Sequence, residues 1–465
     1  MSQPAAIEVR SPYDGAPVGS VPCSGPEEVE RARGTAYRLF RDRAGWLSPA
    51  RRIEILNATA ALMERDAEAL AVQAAQEGGK PLADSRVEVA RAIDGVRTCC
   101  ELLRGEAGRV VPMSINAASA DRVAFTQAEP VGVVVAISAF NHPLNLIVHQ
   151  VAPAIAAGCP VIVKPASATP LSCFGFVALL REAGLPADWC QALALGSDEL
   201  AGRLAADPRV GFLSFIGSAR VGWSLRAKLA PGARCALEHG GAAPVIVAAD
   251  ADLDLTVGAL AKGGFYHAGQ VCVSVQRVFA HVSIAEELAR RLADRAAALR
   301  VGDPLSPETE VGPLIRAGEV ERVHAWVGEA VAGGGTLVGG GQPLSETCYP
   351  PTVVFEPPAD CRLSREEVFG PVVAVYGYDD IEDAFARANA LPWAFQAAVF
   401  THDYATAMRA YRALDASAVM LNDHTAFRVD WMPFAGLRRS GLGVGGIPYT
   451  FHEMRVEKMF VGPMS

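Results

Sequence analysis

VGVVVAISAFNHPLNLIVHQVAPAIAAGCPVIV, residues 131–163, contains no charged side chain. A run of this length and polarity raises the question of a membrane span. Asn141, His142, Pro143, Asn145, His149, Gln150, Pro153 and Pro160 answer it, because these polar groups and helix breakers suit no simple spanning helix. The stretch reads instead as a strand over 131–137, a polar turn, a buried helix over about 144–157 and a second strand over 161–163. A strand-helix-strand unit this apolar belongs to a parallel sheet covered on both faces.

The flanking sequence repeats that pattern. Upstream, Ile53, Leu56, Ala60, Met63, Ala67, Leu70 and Ala74 recur at spacings of three and four and predict helix with one apolar stripe. Downstream, strand over 161–163, helix over 174–181, strand over 193–195, helix over 199–206 and strand over 212–215 alternate as in an α/β domain. A second series starts at 245–248, with an amphipathic helix near 285–299 and strands around 397–400 and 418–421. The glycine-rich segment 333–341 reads as a loop. The expected architecture is α/β, in two lobes.

Composition excludes several classes. Lys and Arg number 42 against 51 Asp and Glu, a net charge of −9, which disfavours an electrostatic nucleic-acid binder. The ten cysteines form no C-x-x-C pair, and Cys99 and Cys100 are adjacent, so neither a zinc site nor a disulfide framework is expected and no metal is assigned. The opening MSQPAAIEVRSP has neither the basic nor the apolar region of a secretory signal, so a reduced, cytoplasmic setting is expected, with no membrane partner. Gly441-Leu-Gly443-Val-Gly-Gly446 fits a dinucleotide fingerprint but lacks a strand-helix-strand context. Phosphate-loop, serine-hydrolase and zincin motifs are missing.

The informative residues come as an ordered set. Ala139-Phe-Asn141-His142-Pro143 follows a strand, and Lys164-Pro-Ala-Ser167 leaves the next one. Gly217-Ser218 lies at a strand-to-helix turn, Glu238 precedes Gly240-Gly241, and Cys272 ends Gly-Gln-Val-Cys. Glu366-Glu367-Val-Phe369-Gly-Pro371 and Pro433-Phe-Ala-Gly436 complete the series. In order and spacing, from about Ser11 to Phe460, this set resembles the aldehyde dehydrogenase superfamily. The resemblance implies a Rossmann-like dinucleotide-binding domain over 1–111 and 131–239, a catalytic domain over 240–440 and a β oligomerisation arm over 112–130 and 441–465. It also implies a homodimer or homotetramer that oxidises an aldehyde to a carboxylate with NAD or NADP.

The residue types agree with that chemistry. Hydride can leave an aldehyde carbon only after a tetrahedral adduct forms, and a thiolate forms it well, which is the role implied for Cys272. Asn141 resembles the side-chain donor to the oxyanion and Glu238 the base that activates water for thioester hydrolysis. Glu238 argues against the coenzyme A-dependent branch. For the cofactor, the resemblance assigns Lys164 to the adenosine ribose, Gly217 and Ser218 to the pyrophosphate at a helix start, Glu367 to the nicotinamide ribose and Phe369 to the nicotinamide face. Lys80, in Glu77-Gly-Gly-Lys80-Pro81, matches a family signature and is read as structural.

Departures from the pattern bear on specificity. Many NAD-preferring members carry Glu where this chain has Ser167; serine does not repel a 2′-phosphate, so NADP is admitted. His142 replaces a usual aromatic residue, and Leu146 and His149 continue its helix face toward the expected substrate tunnel. Arg428 lies near the tunnel mouth. Together His142, Leu146, His149 and Arg428 predict a short polar or anionic aldehyde, as in phosphonoacetaldehyde dehydrogenases, where Arg91 also has a counterpart. Those enzymes carry Arg before the nucleophile and this chain has Val271, so a carboxylated semialdehyde or hydroxyaldehyde stands equally. A silent cofactor-binding protein and a thiol hydrolase are the alternatives; the first would ordinarily have lost Cys272, Glu238 or Asn141, and the second has no need of Lys164 or Glu367.

Overall fold

The computed structural model describes residues 6–464; residues 1–5 and 465, at the ends of the expected cofactor domain and arm, lie outside the described residues. The charge-free run forms the Val133–Ile137 strand, the Asn145–Ala157 helix and the Val161–Lys164 strand. They sit centrally in a six-stranded sheet ordered Gly441–Leu442, Arg234–Glu238, Val210–Ile216, Val133–Ile137, Val161–Lys164, Cys190–Ala192. All its pairings are parallel except that of Gly441–Leu442 with Arg234–Glu238.

The reason the strand is apolar throughout is that both its faces are covered. Val133, Val135 and Ile137 pack in one cluster with Val29, Leu200 and Leu204, while Val134 and Ala136 join Ile55, Leu56 and Val148 on the other side. The intervening helix is buried along its whole length and stops at Gly158, whose φ of 85° closes it. Its first amides have no local side-chain cap. Glu88 supplies one from a neighbouring helix, its Oε1 accepting from the Leu144 and Asn145 N–H groups at 2.9 Å each.

The second lobe holds a seven-stranded sheet ordered Thr336–Gly339, Thr352–Phe355, Val372–Tyr378, Val275–His281, Ala243–Val247, Gln396–Phe400, Ala418–Leu421. No helix among the described residues is long and apolar enough to cross a membrane.

Three expectations about elements change. The strand expected at 193–195 is regular over Cys190–Ala192; beyond it the Leu193 N–H still donates to the Val163 carbonyl and Ala194 bridges to Cys23, while the Leu193 and Leu195 side chains are buried in the adjoining cluster. The glycine-rich loop contains an edge strand, Thr336–Gly339, antiparallel to Thr352–Phe355, and only its flanks turn, with Gly340 and Gly341 at positive φ. Of the segment 441–465 expected in the arm, only Arg455–Pro463 pairs with Arg122–Pro130. Gly441–Leu442 extends the six-stranded sheet, and the apolar face of the Ile447–Glu453 helix is buried in that lobe's core through Ile447 and Phe451, with Met454 beside them.

Candidate active site

The loops at the carboxyl ends of the parallel strands open into one cavity of about 950 Å³ between the lobes, where such sheets place their ligands. Asn141, His142, Leu146, Lys164, Ser167, Gly217, Ser218, Glu238, Cys272, Glu367, Phe369 and Arg428 all line it. His149 does not.

Cys272 is held by an unusual turn. The Leu253–Phe265 helix ends in Tyr266–Gly269, where His267, Ala268 and Gly269 have φ of 48°, 53° and 69°. Only glycine is tolerated at the third position, since a Cβ there would meet the Gly370 carbonyl oxygen at 2.1 Å. Gln270 latches the loop, its Oε1 accepting from the Ile315 N–H at 2.9 Å and its Nε2 donating to the Pro313 carbonyl at 3.2 Å. Asn141 is not a helix cap: its Nδ2 donates to the Gln270 carbonyl at 2.8 Å, which brings an amide donor of one lobe to the cysteine loop of the other. Val271, Val273, Phe395 and Phe434 form an apolar collar beside the thiol.

Burial, followed by the nearby Glu238 charge, drives the Cys272 thiol well above the usual thiol range, with Arg428 opposing. Glu238 ends its strand with Oε1 buried and without a hydrogen bond, 3.5 Å from Arg428 Nη1. Burial raises its carboxyl, against the pull of Arg428.

On the cofactor side, Glu367 Oε1 is buried with no partner, and burial pushes its carboxyl up to about 8. It lies close against the chain: a Cβ at Gly240 would fall 1.6 Å from that oxygen, so a side chain there would push the Glu367 carboxylate out of this position. Ser218 makes no side-chain cap at the start of the Ala219–Arg226 helix, leaving the first amides open to the cavity wall. Burial lowers the Lys164 ammonium, with Asp198 opposing. Phe369 meets Phe140 edge to face with centroids 5.8 Å apart. An acceptor without a donor, an uncapped helix start and a lysine are a fitting donor set for a dinucleotide's hydroxyls and pyrophosphate.

On the substrate side, His149 is a correction. It shares a helix face with Leu146, yet one turn on it lies buried behind Arg428, which lines the cavity in its place, and it pairs with Asp430. Its Nε2–H donates to Asp430 Oδ1 at 2.7 Å and its Nδ1 accepts from Arg428 Nη2 at 3.4 Å. Burial and then Arg428 push this imidazole down to about 4, so it is neutral. Asp430 had no motif to announce it, but it also accepts a bidentate pair from Arg91, at 2.9 and 2.7 Å, and an amide from Asn145 at 3.1 Å. Burial favours the neutral form of Asp430, and the bonds from His149 and Arg91 outweigh it, holding the carboxyl far below the ordinary range.

Lys80 is fully buried, paired with Glu88 and 3.1 Å from His142 Nδ1. An ammonium has no lone pair, so His142 accepts there and, being held neutral by burial and by Lys80, carries its proton on Nε2.

A model of the aldehyde dehydrogenase family matches residues 1–460. The chain is 36% identical over 455 residues to the 3-sulfolactaldehyde dehydrogenase of Priestia aryabhattai, spanning 98% of this chain and 94% of that protein. Aldehyde dehydrogenase 21 of Physcomitrella patens, solved with the reaction product succinate, superposes with a TM-score of 0.94 at 33% identity, over 99% of this chain and 95% of that one. The glyceraldehyde-3-phosphate dehydrogenase of Methanocaldococcus jannaschii, complexed with NADP, gives 0.93 at 34% identity over 99% of both.

Proposed function

This chain belongs to the aldehyde dehydrogenase family and is an NAD(P)-dependent enzyme, and from that premise we propose that it oxidises a short anionic aldehyde through a Cys272 thioester. The observation that carries the substrate class is Arg428: its side chain is nine-tenths buried, it lines the cavity, and its Nε has no partner. A buried guanidinium with an unmet donor is matched by a carboxylate or sulfonate far better than by an alkyl chain. The relatives that act on sulfolactaldehyde or hold succinate point the same way.

The Cys272 thiol loses its proton to solvent through the open cavity, and the thiolate sulfur then bonds to the aldehyde carbon while the carbonyl π pair moves onto oxygen. The Asn141 amide, turned from the Gln270 carbonyl, and the Cys272 N–H stabilise the oxyanion; one such donor is worth ~10²–10³ in rate. Gly217, Ser218, Lys164 and Glu367 would hold NAD or NADP, which would supply the acceptor for the hydride. Glu238 then takes a proton from the water that hydrolyses the thioester. His142, with its proton on Nε2, donates to a substrate oxygen, and Leu146 packs on the chain. We read the chain as cofactor, catalytic and arm domains, a division that the two sheets and the Arg122–Pro130 pairing support outside 441–454, and the stacked, exposed Phe125 and Phe460 are where a second copy is expected to bind.

The test is reduced-nicotinamide absorbance with an aldehyde panel: succinic semialdehyde is expected to show higher kcat/KM than hexanal or benzaldehyde, and the opposite order rules the substrate class out. Ser167 lines the cavity beside Lys164 and is exposed. Ser167→Glu is expected to lower kcat/KM for NADP by about tenfold or more relative to NAD, since a carboxylate would face the 2′-phosphate. An unchanged ratio would place Ser167 away from the ribose.

A further inference from the structure

Arg428 stacks closely on one aromatic ring but meets its polar partners only at long range. Its guanidinium carbon lies 3.6 Å from the Phe434 ring centroid, its Nη2 3.4 Å from His149 Nδ1 and its Nη1 3.5 Å from Glu238 Oε1. The polar contacts are long, Nε is unpaired, and the Glu238 oxygen it faces accepts no hydrogen bond. The group expected to take a proton from water is thus turned toward a cation.

That position is imposed from behind. Arg91 grips Asp430 with two bonds, and Asp430 takes the Nε2–H of His149. With that proton committed, Nδ1 is left as an acceptor and draws Arg428 toward the base.

Resting on the anionic-substrate reading, we propose that Arg428 is shared between Glu238 and the substrate's anionic end, so that the correct acyl group draws the guanidinium away and releases Glu238 to hydrolyse its own thioester. A carboxylate or sulfonate offers Arg428 a paired, short contact in place of one at 3.5 Å. Glu238 has room to move, since it borders both the main cavity and a 30 Å³ void shared with His149 and Phe434. Once freed, Glu238 accepts a proton from water as the water oxygen bonds to the thioester carbon. The C–S bond then breaks and its electron pair returns to Cys272 as thiolate. Losing a cationic partner also raises the proton affinity of a carboxylate, which makes it a better base. A neutral aldehyde acylates Cys272 but leaves Glu238 paired. Substrate selection then falls on deacylation as well as on binding.

The experiment compares propanal with succinic semialdehyde in the wild type, Arg428→Leu and Arg428→Gln, recording the pre-steady-state burst and the steady state. Burst amplitude counts competent sites, so partial misfolding of a variant is divided out. In the wild type, propanal is expected to give a burst and then a steady state roughly tenfold slower than that of succinic semialdehyde. Added acetate should speed the propanal steady state. Both variants should turn propanal over faster per site than the wild type, should not respond to acetate, and should show a raised KM for succinic semialdehyde. If that KM rises selectively while propanal turnover stays at or below the wild-type rate, the shared-arginine device is wrong and the anionic substrate stands. If KM does not rise selectively, the anionic-substrate reading itself fails and the device falls with it.

Discussion

Cys272→Ala is expected to lower turnover by at least about 10³-fold while leaving NADP binding, followed by calorimetry, within a few fold of wild type. The thiol borders the same cavity as the residues proposed to hold the cofactor, but it packs in the apolar collar of Val271, Val273, Phe395 and Phe434. Its loss removes the only group in that collar able to bond to an aldehyde carbon. The free enzyme supplies an independent check. Because burial and Glu238 raise the thiol's pKa, the thiolate is the minor form at neutral pH. Alkylation of Cys272 by iodoacetamide should therefore keep accelerating with pH beyond the range where an ordinary cysteine has levelled off. Residual turnover of more than a few per cent in the alanine variant would remove Cys272 from the mechanism.

Glu238→Gln is expected to separate the half-reactions. The variant should give a full burst of reduced cofactor and then a steady state slower by about 10²–10³-fold, because only thioester hydrolysis needs the base. The sign of the electrostatics sharpens this expectation. The Glu238 charge raises the Cys272 thiol, so its removal favours the thiolate, and the burst should be no slower than in the wild type. Loss of the burst together with the steady state would instead make Glu238 the base that activates the thiol.

The sequence by itself determined the fold class, and it named the residues that the structure gathers around one cavity. The charge-free run over 131–163 sufficed for the buried strand-helix-strand unit, because strand residues that alternate between two covered faces must all be apolar. Cys272, Glu238 and Asn141 were legible because each sits in a short motif at the end of a strand or helix, and beside Cys272 the motif's glycine is demanded locally, since a Cβ at Gly269 would collide with the Gly370 carbonyl. What only the tertiary structure decided is how the charges are wired. Asp430 joins Arg91, 339 residues away in sequence, to His149, 281 residues away, and through His149 to Arg428. Periodicity placed His149 on the cavity side of its helix, and the fold put Arg428 between it and the cavity instead. A local pattern reports which face of an element is buried. It carries no record of which distant partner fills the space beyond that face, because partner choice among buried charges is settled by packing across elements that meet only after the two lobes close on each other.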